Sequence, residues 1–383
     1  MTGPNGRGGS AGITLALARR VAWLVLFAAG MSGTSFAEPY IAVREGYKCS
    51  VCHVNMTGGG KRTDFANIYV QTRLPQNIVQ WTQAGDGSGD TGDLPPAQTL
   101  YDGNLNEYFS VGGDLRVEYS HTKTPHESDT EQFVLSKGLL YLRMNLIPET
   151  ALFYVDQDVI STVATREMFM LFQGRAWPTY AKIGKFFLPS GLRLQDDTAY
   201  IRATTRFNYG VTDTGVELGV EPGPFTFSVA YTNGATQDNK KVAAYGYAIS
   251  RHGMFGLSSS AEKDKPDNWR RVSNVFAGLH FGRTSWLFEV DRITDSSTDI
   301  EQEAALLELD LLIAKGANLK LTYEYLKPDV NDPAINRDRT SIVYEPFLNQ
   351  FLQLRLGARK SAGPRTDNSL NSQRLFAELH VFF

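Results

Sequence analysis

From about Tyr108 to Phe383 the chain repeats segments of roughly ten residues in which apolar and polar side chains alternate, the period of an extended strand with one apolar face. Val111, Leu115, Val117 and Tyr119 fall on one face and Asp114, Arg116 and Glu118 on the other. The same alternation sets Trp286, Phe288 and Val290 against Glu289 and Asp291, Leu319, Leu321, Tyr323 and Tyr325 against Lys320, Thr322 and Glu324, and Leu352, Leu354 and Leu356 against Gln353 and Arg355. Alternation alone fits a soluble sandwich, apolar face to its core, as well as a membrane barrel, apolar face to lipid.

The spacing of the connections favours the barrel. Short links at 147–150, 221–224, 251–253, 282–284, 315–317 and 346–349 alternate with long ones at 122–130, 189–212, 233–241, 261–268, 295–301, 328–337 and 361–371. Short periplasmic turns and long outer loops produce this rhythm, and counting by it predicts an all-β, antiparallel transmembrane barrel of about sixteen strands over residues 108–383. The last segment, Arg374 to Phe383, places Leu375, Ala377, Leu379, Val381 and Phe383 on one face and resembles the C-terminal assembly signal of bacterial outer-membrane barrels. Lipid is then the partner of the apolar faces. A barrel this wide has a lumen rather than a filled core. The inward positions carry both signs of charge, Asp114, Arg116, Glu118, Lys137, Arg143, Asp156, Asp158, Glu289, Asp291, Glu308, Asp310, Lys320, Glu324, Arg355 and Arg359 among them, and are expected for the most part simply to solvate it.

Three stretches precede the barrel. Residues 1–37 read as a signal peptide: Arg19 and Arg20 close a basic region, Val21 to Gly30 is apolar, and Ser35-Phe36-Ala37 offers small residues for cleavage before Glu38. The apolar core is shorter than the ~20 residues of a membrane-spanning helix. Residues 38–82 form a small segment containing the only two cysteines of the 383-residue chain. Residues 83–107 are rich in Gly, Asp and Ser around Pro95-Pro96 and read as a linker separating that segment from the barrel. With 35 Gly, 17 Tyr, 22 Phe and 21% charged residues, composition agrees with many short strands. The formal charge of −3 leaves no basic footprint for nucleic acid.

The chemistry is concentrated in Lys48-Cys49-Ser50-Val51-Cys52-His53. Two thiols at this spacing with a histidine directly after the second form the attachment pattern for c-type haem: Cys49 and Cys52 add to the two vinyl groups, and His53 presents a neutral imidazole to the iron. A zinc site needs about four ligands, and no further cysteine can complete one. A thioredoxin-type dithiol belongs in an α/β pattern that this chain lacks; a structural disulfide is the remaining alternative. A segment below about 40 residues rarely folds without an anchor, and covalent haem would be one, with Tyr40, Tyr47, Phe65, Ile68 and Tyr69 available to cover its faces. Gly58-Gly59-Gly60 would allow a close path beside the macrocycle, or be a flexible loop.

A distal ligand is sought among the remaining histidines, because Met56 follows His53 too closely to reach the opposite face of the ring. Strand parity puts His280 and His380 inward near the periplasmic end, His252 in a periplasmic turn, and His121 and His126 at the outer rim, where Met168 begins its strand. His280 and His380 are the candidates, although any single one reads more readily as an ordinary polar lumen or rim residue, and an open or water-bound position is a further option.

The whole arrangement of leader, single C-x-x-C-H and barrel resembles the fused outer-membrane cytochrome-porins of iron oxidation and extracellular electron transfer. Locally the likeness rests on Cys49, Cys52, His53 and on Thr63 to Tyr69 (TDFANIY), which resembles that family's short Phe-containing helix after the haem site. Lys182 to Leu194 (KIGKFFLPSGLRL) resembles a segment of phosphate-selective-type porins. The resemblance implies electron transfer by one haem c, between an extracellular donor or acceptor such as a metal ion and a periplasmic cytochrome or other soluble carrier. One haem cannot bridge a hydrocarbon core of about 30 Å from below, so the haem segment is expected to plug the lumen. Acidic loops holding Glu127, Asp129 and Glu131, or Asp295, Asp299, Glu301 and Glu303, could gather a cationic donor or be plain solvated loops. The competing expectation is a solute-diffusion porin with Cys49 and Cys52 in a disulfide; a soluble binding sandwich is a third. No hydrolytic triad or nucleotide loop is present.

Overall fold

The computed structural model describes residues 38–78, 100–160, 164–207, 211–234, 239–265 and 268–383. The leader and most of the proposed linker lie outside these residues. Sixteen antiparallel strands, from β1 (Phe109–Lys123) to β16 (Ser372–Phe382), pair in chain order and close on themselves. The closing seam registers Val117 with Leu379 and Glu118 with Glu378. Closure matters because every backbone amide in hydrocarbon must be paired, and a barrel leaves no open edge.

The alternation read along the chain sorts the two faces. In β7 (Phe225–Thr232) Phe225, Phe227, Val229 and Tyr231 are exposed on the outside while Thr226, Ser228, Ala230 and Thr232 are buried within. In β11 (Thr284–Asp295) Val290 is 58% exposed between Glu289 and Asp291, at 1% and 0%. The final strand turns Leu375, Leu379 and Phe383 outward and Phe376, Glu378, His380 and Phe382 inward.

Three connections differ from expectation, one being the long link expected at 261–268, where strand runs through Lys265 and resumes at Asn268. The short link expected at 346–349 is strand: β14 (Arg337–Asn349) continues past Pro346, beside a register irregularity between Phe347 and Asn349, and turns only at Gln350 and Phe351. Proline, lacking an N–H, is tolerated at such irregularities. The long connection after β5 (Thr179–Phe186) is not an outer loop but folds into the lumen. Its Leu192, Leu194 and Ile201 are buried, the last in the short helix α4 (Tyr200–Ala203). A run this apolar does not stay in water, and wall carboxylates accept its backbone donors: Leu192 N–H to Glu289 at 2.5 Å and Tyr200 N–H to Glu324 at 2.7 Å.

The lumen is therefore filled, and its charges do more than solvate it. Arg116 pairs with Asp114 at 2.9 Å, Arg355 with Glu345 at 2.8 Å and Glu378 at 2.9 Å, and Lys182 with Glu217 at 2.9 Å, all almost fully buried.

The two faces predict opposite responses. Val290→Arg, on the lipid face near mid-strand, should cost about 2–4 kcal/mol, measured by denaturant unfolding in vesicles. Ser260→Ala, on the lumen face of β9 (Gly253–Lys265), should change unfolding by much less.

Candidate functional site

The residues before the barrel form three helices inside it. Helix α1 (Pro39–Glu45) begins with Pro39, whose fixed φ suits a first helical position, and ends at Gly46 with φ +70°. A Cβ at Gly46 would stand 2.6 Å from Arg251 N, so only glycine allows α1 to approach the wall there. Glu38 accepts from Lys320 Nζ at 2.8 Å and Tyr40 OH from Asn318 at 3.0 Å, fixing the start of α1 to β13 (Ala317–Lys327).

Helix α2 (Cys49–Cys52) is a single turn holding both cysteines. Lys48 Nζ donates to the carbonyls of Glu221 and Phe225 at 2.9 Å each, Ser50 donates to Glu221 at 2.7 Å, and Cys49 N–H donates to Tyr247 OH at 3.2 Å. The chain then runs back on itself through a His53–Arg62 bridge and a buried loop. Its Gly58, Gly59 and Gly60 all have positive φ, and a Cβ on Gly60 would lie 2.3 Å from Tyr154 OH. That hydroxyl accepts from Lys61 N–H at 2.9 Å, so the glycine run is a tightly held path rather than a loose one. Asn55 bridges Glu167 (2.7 Å) and Lys182 (2.9 Å) on the same wall.

Helix α3 (Asp64–Arg73) is capped by the Thr63 hydroxyl, with Asp64 and Arg73 at the ends that suit the helix dipole. Beyond the undescribed stretch the chain returns against α3, where Asn67 donates to Asp102 O at 2.7 Å and Gln71 accepts from Tyr101 N–H at 2.9 Å. Residues 100–104 thus buttress the segment, which is enclosed by the barrel.

Between α1, α2, α3, the inward loop and the wall lies a mostly apolar cavity. Cys49, Cys52 and His53 all line it, as do Tyr69, Met254 and His380. Both cysteines are free. Burial pushes the Cys49 thiol up, and burial with the neighbouring Cys49 pushes Cys52 up to about 11. Burial, reinforced by Arg62 and Arg193, pulls His53 down to about 3, so its imidazole is neutral. His53 Nδ1 has no partner at full hydrogen-bond geometry, although the backbone of Gly59 and Gly60 acts on the ring. Two thiols, a neutral imidazole and an apolar cavity beside them fit a covalently held haem.

The other predicted residues separate. His380 reaches the cavity; its Nδ1 is 2.9 Å from Gln353 Oε1, and its Nε2 is 3.1 Å from Asp114 and 3.2 Å from Arg116. His280 stays at the turn end of its strand, 3.2 Å from Ser285, and is not part of the lining. Met56 lies outside the lining, its sulfur 3.8 Å from Gln173. Phe65 and Ile68 face away from the cavity and are exposed, whereas Tyr69 lines it. Several acids of the outer loops are already engaged, Glu303 by Lys327 and Glu301 by Arg292 at 2.6 Å, and Glu131 by His121 at 3.1 Å. Among the described residues no three metal-ligating side chains gather to hold a free ion. Met254, Arg193 and Gln195 were missed by sequence reasoning, although even-number parity with Phe276 and His280 across the adjacent strand pair marks Met254 as inward.

The fold is a porin-like closed barrel of sixteen strands. It is similar to an anion-selective porin from Comamonas acidovorans (TM-score 0.56, 12% identity, 72% of this chain and 99% of that one). It is likewise similar to OprB of Pseudomonas putida (TM-score 0.56, 8% identity, 72% and 94%) and to a loop-deletion mutant of OmpT, an outer-membrane protein of Vibrio cholerae (0.54, 12%, 72% and 99%). No protein-family model and no curated protein matches the chain.

Lys320→Ala removes the cation that Glu38 meets at 2.8 Å, with Glu345 at 3.6 Å and Glu308 at 3.8 Å around it. Breaking a buried pair costs about 3–5 kcal/mol, so the variant should release α1 and make residues 38–78 susceptible to limited proteolysis in detergent while the barrel survives.

Proposed function

We propose that this chain is an outer-membrane electron-transfer protein, in which a porin-type barrel holds one covalent haem c on Cys49, Cys52 and His53 inside its lumen. The observation that carries the reading is the C-x-x-C-H turn, with Cys49, Cys52 and a neutral His53 all lining one mostly apolar cavity. Haem would supply a one-electron iron couple there. The chain's own residues hold and shield the site. Gly58, packed 3.4 Å from Cys49 Cβ by the measure of its own absent Cβ, leaves room beside the thiols, and Arg193 of the inward loop donates to Gly58 O, tying loop to segment.

Exchange at the site would come from either side of the membrane. Toward the outside a second cavity of about 820 Å³, lined by Lys137, Arg359 and Arg374, shares Gln195 with the first. A small extracellular reductant or oxidant, a metal ion among them, would exchange its electron from that side. On the periplasmic side α2 and α3 form the surface, with Val51, Phe65 and Ile68 exposed, where a soluble cytochrome or other carrier would exchange.

A second reading, solute diffusion with a non-haem appendage, draws its support from the porin fold and from the anion-selective porin among the similar structures. The filled lumen speaks against wide solute flux through the form described. Haem staining separates the two. The membrane-extracted, denatured protein from cells competent to attach haem should stain, and Cys49→Ala/Cys52→Ala should not; no stain in either, together with solute conductance in planar bilayers, would leave the diffusion reading.

A further inference from the structure

We propose that the thioether sulfur of Met254 is the distal ligand of the haem iron; the inference rests on the haem reading above. Two side chains of the barrel wall bring a metal-binding sulfur or imidazole to the cavity, Met254 and His380. His380 is committed elsewhere. Its Nδ1 lies 2.9 Å from Gln353 Oε1 and its Nε2 lies 3.1 Å from Asp114 and 3.2 Å from Arg116, so both ring nitrogens are engaged. Turning that ring to a metal would leave buried polar groups of this network unpaired, at about 1–3 kcal/mol for each.

Met254 carries no such cost. It is 8% exposed, in one apolar cluster with Tyr245, Leu192 and Phe276, and Cys49 packs against the same cluster. Among the described residues no hydrogen bond reaches its sulfur. Its side chain is unbranched with three rotatable bonds, able to adjust to a rigid ring without disturbing the backbone. The backbone itself is held at a defined distance from the haem segment. Met254 registers with Gly278 on β10 (Asn268–Phe281), and a Cβ at Gly278 would stand 2.4 Å from Val43 of α1. The helix is thus pressed onto the wall beside Met254. Soft thioether ligation in an apolar setting raises the potential of a haem relative to ligation by two imidazoles, so the site would be an electron acceptor for weak reductants.

The test uses the full chain, matured in cells that attach haem and extracted in detergent, with covalent haem confirmed by in-gel stain. The ferric wild type should show the weak far-red absorption of iron bound to a thioether, and the reduced form the strongly shifted methyl resonance of a ligated methionine. Both should vanish in Met254→Leu, a volume-conserving change, with a fall in midpoint potential, and both should persist in Met56→Leu and His380→Gln. Met254→His should convert the spectrum to that of two imidazoles. Absence of the thioether features in haem-loaded wild type, or their survival in Met254→Leu, overturns the assignment. A two-imidazole wild-type spectrum lost in His380→Gln overturns it in favour of His380. An unstained wild type removes the haem reading itself, a result distinct from the others.

Discussion

The structure depends on the need to neutralise charge that a closed barrel turns away from lipid. Every second residue of each strand faces the lumen, and here many of those positions carry arginine, lysine and carboxylates, beside small neutral groups such as those of β7. Buried ions survive only with partners. Some find them on the wall itself, along one strand as Arg116 does with Asp114 on β1, or across strands as Arg339 does with Glu324 at 2.7 Å. Others find them on the segment that enters the barrel: Lys320 on Glu38, Glu167 and Lys182 on Asn55, Arg143 on Asp64 at 3.2 Å. Barrel and plug are one electrostatic unit, and the same wall accepts the backbone of the inward loop.

That unit defines the cavity. A peptide of this size has little core of its own, and what holds α1, α2 and α3 in place is the wall around them. The cysteines therefore present their thiols to an enclosed, low-polarity space rather than to the periplasm. Burial keeps His53 neutral, the form in which imidazole binds metals, and the surrounding residues control how a bound group is reached from either side. A porin scaffold closed in this way is suited to moving electrons while it restricts solutes.

The barrel was legible because a period of two is read directly along the chain, and the same parity put His380 within the lumen and Leu379 outside it. The filling of the barrel was legible only in outline. Nothing local to Glu38 or Tyr40 announces Lys320 and Asn318, more than 270 residues away. The inward loop did carry a signal, the apolar run Phe186-Phe187-Leu188 followed by Leu192 and Leu194, but a long connection in a barrel reads as an outer one. Pro346 misled in the opposite direction, marking a turn where a strand irregularity absorbs it. Met254 is equally readable by parity as an inward residue, but no local motif sets it apart from the other methionines of the wall.

The most direct test of the account is electron transfer across a sealed membrane. The haem-loaded protein would be reconstituted into vesicles that contain a soluble cytochrome, and a membrane-impermeant reductant added outside. The account predicts that the entrapped cytochrome is reduced while an entrapped small dye stays inside, and that the Cys49→Ala/Cys52→Ala protein supports no reduction. Leakage of the dye with the wild type, or equal reduction with the cysteine-free variant, would contradict it.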